Sequence, residues 1–287
     1  ADIDYRRRFA SIADMQNDRE VALFARILEH FKCPGVRLVA QSEAPRGSGL
    51  GGSSAMSVAA VRAVAEFCDA PVDGDDLIAL VRDLETRLLG LPAGVQDYYP
   101  AVYGGVASLH LLPGAIRREP IPASLAELGS HLILHYSGVS HFSGTNNWEI
   151  YKQHVDGDAS VRGELGAIAD AAEAMEKALG AGDFAAAGAA LATEWAHRKA
   201  LVAGISTPEI DQAIDTAIAA GAWGGKVCGA GGGGTTVILA PSDRRRAVVA
   251  ALAAVPGRTL DAAPVSAGLT MERSDQLPLA LTFARRG

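Results

Sequence analysis

Between the apolar segment Gly35 to Gln41 and an Ala-rich run from Ser53 to Cys68, the chain reads PRGSGLGGSSAM, Pro45 to Met56. Gly47, Gly49, Gly51, Gly52 and Ala55 carry little or no side chain, so backbone N–H groups in this stretch can come close to a ligand. With a strand before it and a helix after it, the turn receives the positive end of the helix dipole, and a phosphate would sit well there. Gly47, Gly49 and Gly52 also fit the dinucleotide spacing GxGxxG, with Glu66 or Asp69 near the place of a ribose-binding acid, but no regular βαβ repeat follows. A ligand-free loop capped by Ser53 is the plain structural alternative.

Two further stretches constrain the chemistry. In GGKVCGAGGGGTTVIL, Gly224 to Leu239, four consecutive glycines precede an apolar strand. Such a run is costly in backbone entropy, which points to something approaching the backbone closely, with a functionless flexible loop as the alternative. It is not a Walker loop, because Val227 follows Lys226 where Ser or Thr is required. Between the glycine clusters lies DLETRLLGLPAGVQD. At about 100° per residue, Leu77, Val81, Leu84 and Leu88 form one helical stripe with Glu85 on its edge. A carboxylate there is expensive unless it is paired, so either a buried Arg or Lys or a divalent metal is expected beside it. Asp97 follows a Pro-Ala-Gly turn, with Tyr98, Tyr99 and Tyr103 close behind. It either orients or deprotonates a substrate hydroxyl or merely caps a helix that starts there.

Composition narrows the class. The 287 residues carry 26 Lys+Arg against 33 Asp+Glu, a net charge of −7, which argues against a nucleic-acid or membrane-surface binder. The longest apolar stretch, Ala247 to Pro256, is too short to cross a bilayer. Cys33, Cys68 and Cys228 are odd in number and lack CxxC spacing, which fits a reducing, cytoplasmic setting. His131 and His135 alone share an i, i+4 spacing and read as structural. Trp195 to Arg198 and Arg244 to Arg246 read as solvated helix faces. The pattern predicts helices over Glu20 to Phe31, from Ser53 to Cys68, from near Asp75, from Ala159 to about Ala203, from Pro208 and over Arg245 to Ala254. It predicts strands over Gly35 to Gln41, within Val102 to Leu112, His131 to Val139, Thr235 to Pro241 and Pro264 to Glu272, with Pro113 to Pro122 as a connection. Alternation without a fixed repeat makes an α/β or α+β chain of two units, 1–125 and 126–287.

Taken in order, these motifs resemble those of the GHMP kinase superfamily. Pro45, Gly49, Leu50, Gly51 and Ser53-Ser54-Ala55 are similar to that family's ATP loop, P-x-x-x-G-L-G-S-S-A. Glu85 and Asp97 resemble its acid pair, one a magnesium ligand and the other the catalytic acid-base residue. GVQDYYPAVYGG is similar to the sugar-kinase form of that segment, and KVCGAGGGG resembles the third family motif with Cys228 in place of the usual Ser or Thr. The stretch from Pro208 to Gly234 is most like heptose 7-phosphate kinases. The family's first motif precedes its ATP loop and has no counterpart ahead of Pro45, so a further N-terminal segment is expected before Ala1.

The resemblance implies an α+β, two-domain fold, a ribosomal protein S5 domain 2-like N-terminal domain and a ferredoxin-like C-terminal one. It implies an ATP- and Mg2+-dependent kinase acting on a sugar hydroxyl, most like the anomeric hydroxyl of a hexose, heptose or heptose 7-phosphate. In that scheme Gly49, Leu50, Gly51, Gly52, Ser53 and Ser54 cradle the phosphates, and Ser53 and Glu85 hold Mg2+, alignment from Gly49 favouring Ser53 over Ser54. Asp97 serves the acceptor hydroxyl, and Gly229, Ala230, Gly231, Gly232, Gly233 and Gly234 close over phosphates and substrate. Tyr99, Tyr103 and the SGVSHFSG segment after Tyr136 are candidate sugar contacts. Expected partners are a small sugar or sugar phosphate, with no nucleic acid and no membrane, in a monomer or homodimer. The alternatives are a kinase for mevalonate, homoserine or another alcohol, a catalytically silent sugar sensor, and a dinucleotide-dependent oxidoreductase.

Overall fold

The computed structural model of the protein describes residues 5–139 and 144–274, the side chains of 144–146 excepted. Residues 12–103 form a helical layer: α1 (Ile12–Gln16), α2 (Ala22–His30), α3 (Gly52–Phe67), α4 (Gly74–Leu89) and α5 (Tyr98–Tyr103). Their apolar faces meet in one core, where Ile27, Val58, Val61, Leu77, Val81 and Tyr98 are fully or almost fully buried. In α4 Leu77, Val81 and Leu84 of the expected stripe are buried together with Ile78, while Leu88 near the helix end is only partly buried, and Gly90 ends the helix in the left-handed conformation.

The antiparallel hairpin β1 (Ala107–Leu112) and β2 (Ala115–Pro120) packs Leu109 and Ile116 against this core. The expectation that residues 113–122 merely connect is therefore corrected. Pro113 presets its own backbone angle and Gly114 adopts φ +75°, the requirement of a type II turn, so the chain folds straight back. The strand expected over Gly35 to Gln41 does not form, because that segment finds no ladder partner among the described residues.

A second sheet is built from β3 (Leu132–Tyr136), β4 (Gly224–Val227), β5 (Thr235–Leu239) and β6 (Arg258–Leu260), in the order β4-β5-β3-β6 with all pairs antiparallel. Before it comes α6 (Leu125–His131). Between β3 and β4 lie α7 (Gly144–Asp156), α8 (Ala159–Ala181), α9 (Phe184–Leu201) and α10 (Pro208–Ala219), and between β5 and β6 lies α11 (Arg245–Leu252). This β-α-β-β-α-β succession is the expected ferredoxin-like arrangement with extra helices in its first crossover. The run 159–203 is two helices rather than one. Gly182 takes a left-handed C-cap at φ +70°, and the Asp183 carboxylate then accepts from Ala186 N at 2.9 Å to start the next.

Two other expectations need correction. The closing strand is Arg258–Leu260, not 264–272; the latter makes only isolated bonds to the chain near α5, such as Gly105 N to Val265 O at 2.9 Å. The Trp195 to Arg198 segment is not a solvated face, since Trp195 is 4% exposed within a core that includes Ile205, Ile210 and Val227. Of SGVSHFSG, residues 140–143 lie outside the described residues. His131 and His135 are structural as expected, donating to the carbonyls of Ala240 at 2.8 Å and Pro256 at 3.0 Å.

Candidate active site

Gly51 opens α3 in the left-handed conformation, φ +69°, and no side chain caps the helix. Its first intrahelical bond runs from Ala55 N to Gly51 O, 2.9 Å, so the N–H groups of Gly52, Ser53 and Ser54 stand ahead of that ladder at the positive end of a 16-residue helix. Such an end is an anion site in waiting. Ser53 is exposed there, whereas Ser54 is 7% exposed and turned inward.

The two glycine clusters, far apart in sequence, lie against each other. A Cβ on Gly49 would stand 2.5 Å from the Cys228 carbonyl oxygen, and one on Gly229 would stand 3.2 Å from Gly49 Cα. Thr235 N donates to Ser48 O at 2.8 Å, and a Cβ on Gly234 would meet the same oxygen at 2.8 Å. Gly231 packs on Ile205, whose carbonyl a Cβ would approach to 2.4 Å, and Gly232 N donates to that carbonyl at 2.8 Å. Much of the glycine requirement at Gly49, Gly229, Gly231 and Gly234 is thus set by backbone meeting backbone.

Asp97 comes to the same place. A Cβ on Gly51 would lie 3.2 Å from both Asp97 Cβ and Cγ, so the carboxylate sits beside the entrance of α3. Asp97 does precede α5, but its side chain makes no capping bond, so capping is not what it is spent on. Burial raises its pKa, and the Glu85 charge nearby raises it further. Glu85 projects from α4 toward α3 and α5. Ser57 Oγ lies 2.9 Å from Glu85 Oε1 and 2.9 Å from the Ser53 carbonyl, and its one proton serves one of them at a time. Tyr98 donates its hydroxyl to Glu85 Oε2. Burial and this bond raise the Tyr98 pKa, which keeps the phenol protonated as a donor.

The choice left open for Glu85 resolves in part. No Arg or Lys among the described residues pairs with it, and its partners are two hydroxyls. Ser57 and Tyr98 were not anticipated; Ser57 lies one helical turn beyond Ser53, and Tyr98 is the neighbour of Asp97, but neither spacing alone reveals its target. Two adjacent carboxylates without a cation are electrostatically incomplete. Oxygen donors of this kind suit a magnesium ion, so the donor set fits the metal that the resemblance implies.

The flanking groups are less reactive than their types suggest. Burial pushes the Cys228 thiol up to about 11, and Asp97 adds to the shift, so Cys228 is a protonated, inert thiol at neutral pH. Lys226 points to the buried Glu194, Nζ to Oε1 2.7 Å, alongside Arg198. Burial, and then the Arg198 charge, lower its pKa. Tyr99 lines a cavity of about 320 Å³ together with Gln96, Gly104, Gly105 and Arg118. Tyr103 does not line it; its hydroxyl donates to Asp75 at 2.8 Å and Arg118 covers its ring.

The family model described as GHMP kinases N terminal domain matches residues 20–105, and that described as GHMP kinases C terminal matches 175–256, together more than half of the chain. A D-glycero-alpha-D-manno-heptose 7-phosphate kinase of Campylobacter jejuni is 29% identical over 218 residues, 73% of this chain and 63% of that protein. The chain therefore spans less than two thirds of that relative's length. Among solved structures, a D-glycero-D-manno-heptose 1-phosphate kinase from Bacteroides thetaiotaomicron aligns with TM-score 0.61 and 24% identity, over 88% of this chain and 75% of that one. An L. major mevalonate kinase in complex with R-mevalonate aligns with TM-score 0.65 and 21% identity, over 90% of this chain and 81% of that one. At such identities the likeness establishes the two-domain fold.

Proposed function

The chain belongs to the GHMP kinases, and from that premise we propose that it transfers the γ-phosphoryl group of ATP to a hydroxyl of a sugar or sugar phosphate. The observation that carries this reading is the meeting, at the N-terminus of α3, of an uncapped helix end, the Asp97 carboxylate and the Gly229 to Gly234 loop. Phosphoryl transfer depends chiefly on positioning and on neutralising charge, and each part has such a task. The N–H groups from Gly52 to Ser54 face the phosphates. Glu85, held by Ser57 and Tyr98, and the exposed Ser53 would hold Mg2+, which when bound neutralises phosphate charge. Asp97 orients the acceptor hydroxyl and takes its proton. A carboxyl group whose pKa is raised by burial is a better proton acceptor than an exposed aspartate.

Relatedness to the heptose 7-phosphate kinase, together with the sequence GVQDYY around Asp97, supports a sugar acceptor at its anomeric hydroxyl, of a hexose, heptose or heptose 7-phosphate. Tyr99, in the cavity beside Gln96, is the better placed of the two tyrosines for a sugar contact. We take 1–125 as the ATP-binding unit and 126–287 as the second unit, in a cytoplasmic monomer or homodimer. Among the described residues no helix is long and apolar enough to cross a membrane.

The test is ATP- and Mg2+-dependent ADP release against free and phosphorylated hexoses and heptoses, with mevalonate and homoserine included. Release with one sugar supports the reading. Release only with mevalonate or homoserine moves the acceptor to a non-sugar alcohol, and ATP binding without release for any acceptor favours a silent sensor.

A further inference from the structure

The face of the β1-β2 hairpin turned away from its own core carries a cluster that the proposed reaction does not use. In the hairpin register His110 stands opposite Arg117, and Ser108 opposite Glu119, which makes His110 and Glu119 diagonal neighbours on one face. Opposite them lies Glu176 of α8, an element of the second sheet's crossover. His110 Nε2 is 3.2 Å from Glu119 Oε2 and 3.5 Å from Glu176 Oε1, and the three ligand atoms lie within 4.8 Å of one another.

The nitrogen is itself buried and makes a hydrogen bond to neither carboxylate, although both oxygens are within reach. A nitrogen that two oxygens flank without alignment to either is aimed at the space between them. Metal bonds of roughly 2.0–2.2 Å, as zinc makes to imidazole and carboxylate, give ligand-to-ligand edges of about 3.4 Å in a tetrahedron, close to the 3.2 and 3.5 Å separations from His110 Nε2. The other Glu119 oxygen, Oε1, is held by Arg117 Nε at 2.9 Å, so that carboxylate is fixed from behind as a ligand usually is.

We propose that His110, Glu119 and Glu176 form a divalent-cation site of the zinc class, separate from the active site, which ties the β1-β2 hairpin to α8. One imidazole and two carboxylates suit zinc better than magnesium, which prefers oxygen alone, and a water would complete the four ligands. The two carboxylates balance the charge of the ion. Bound metal joins the hairpin of the first sheet to the helices of the second, so it stabilises their mutual position by mass action.

The experiment uses the full chain dialysed against Zn2+ in the presence of millimolar Mg2+, with metal content and melting temperature read together. The wild type is expected to retain one zinc per chain and to melt higher with it. His110→Gln and Glu176→Gln, checked for native circular dichroism, are expected to bind zinc at least about tenfold more weakly. Glu85→Gln is expected to keep it, which separates this site from the proposed magnesium site. Should His110→Gln fail to fold, Glu176→Gln alone decides. Co2+ in place of zinc is expected to give a spectrum without a thiolate charge-transfer band. No retained zinc, equal retention by the wild type and Glu176→Gln, loss of zinc in Glu85→Gln, or a thiolate band would each overturn the proposal.

Discussion

Gly49→Ala tests whether contact between the two glycine clusters, rather than loop flexibility, builds the site. Two costs arise and they can be separated. The first is conformational: Gly49 sits at φ +74°, where an alanine Cβ costs about 1–2 kcal/mol. The second is steric, since the new Cβ would stand 2.5 Å from the Cys228 carbonyl oxygen and must move to ordinary contact at 3.4 Å, a displacement of about 0.9 Å between the loops. A shift of that size in a positioned reaction costs on the order of 10²-fold in rate. Gly35 supplies the control, because it has the same φ of +74° with nothing within 4 Å of its Cβ position. Gly35→Ala therefore carries the first cost alone. Melting temperature and kcat/KM for ATP, measured on both variants, should show both destabilised but only Gly49→Ala slowed. Equal turnover in the two, or a Gly49→Ala protein as stable as wild type, would refute the reasoning.

Asp97→Asn should lower turnover by about 10²-fold or more and at the same time raise the melting temperature of the ligand-free protein at neutral pH. The folded-state pKa of Asp97 lies above its ordinary value of 3.8, so the folded chain binds the proton more tightly, and stability falls as pH rises through that interval. The advantage of Asn is then complete above the raised pKa and shrinks as pH falls toward 3.8; a variant no more stable at pH 7 contradicts the burial argument. Glu85→Gln should raise the Mg2+ concentration needed for half-maximal ADP release, and an unchanged requirement would leave Glu85 as a structural acceptor. Tyr98→Phe strips one of the two hydroxyl partners of Glu85 and should cost about 1–3 kcal/mol in urea denaturation, whereas a neutral result would mean that water replaces the phenol. Cys228, with its pKa pushed up to about 11, should resist iodoacetamide at pH 8 in the folded protein, and rapid labelling there would show that the thiol is more acidic than its burial implies.

Local signals in this sequence translate well where the neighbours lie within one element. The Leu77, Val81, Leu84 stripe, the glycine turn before α3 and the apolar strand after the second glycine cluster all depend on residues a turn or two apart, and all form. Strands fare worse because a strand needs a partner that composition does not name. Gly35 to Gln41 has the right residues and no ladder among the described residues, while AIRREP from Ala115 to Pro120 looks like a charged connection and pairs along its whole length. The deciding signal was the Pro113-Gly114 pair, which marks a tight turn between two extended runs. Gly182-Asp183 is the same kind of signal inside a helical pattern, a left-handed stop followed by a capping acid.

The site shows a different limit. Sequence identified the backbone-rich and acidic residues and expected something to approach the glycine backbone closely, but could not say that at Gly49, Gly229, Gly231 and Gly234 that something is first another part of the chain. It also left Glu85 either an Arg or Lys partner or a divalent metal, and among the described residues its partners are the hydroxyls of Ser57 and Tyr98. That difference bears on function. A paired cation would have neutralised Glu85 and left Asp97 with little electrostatic reason to attract a metal. Hydroxyl donors orient the carboxylate without bringing a positive charge, and the raised pKa of Asp97 reflects its burial first and the nearby Glu85 second. An arrangement that keeps two acids charged and close is stable only to the extent that something else supplies the positive charge. Beside an uncapped helix N-terminus, which attracts phosphates, the divalent cation of the proposed reaction would meet that need, and relief of the crowding between the two acids would become part of the affinity for the metal-bound ligand.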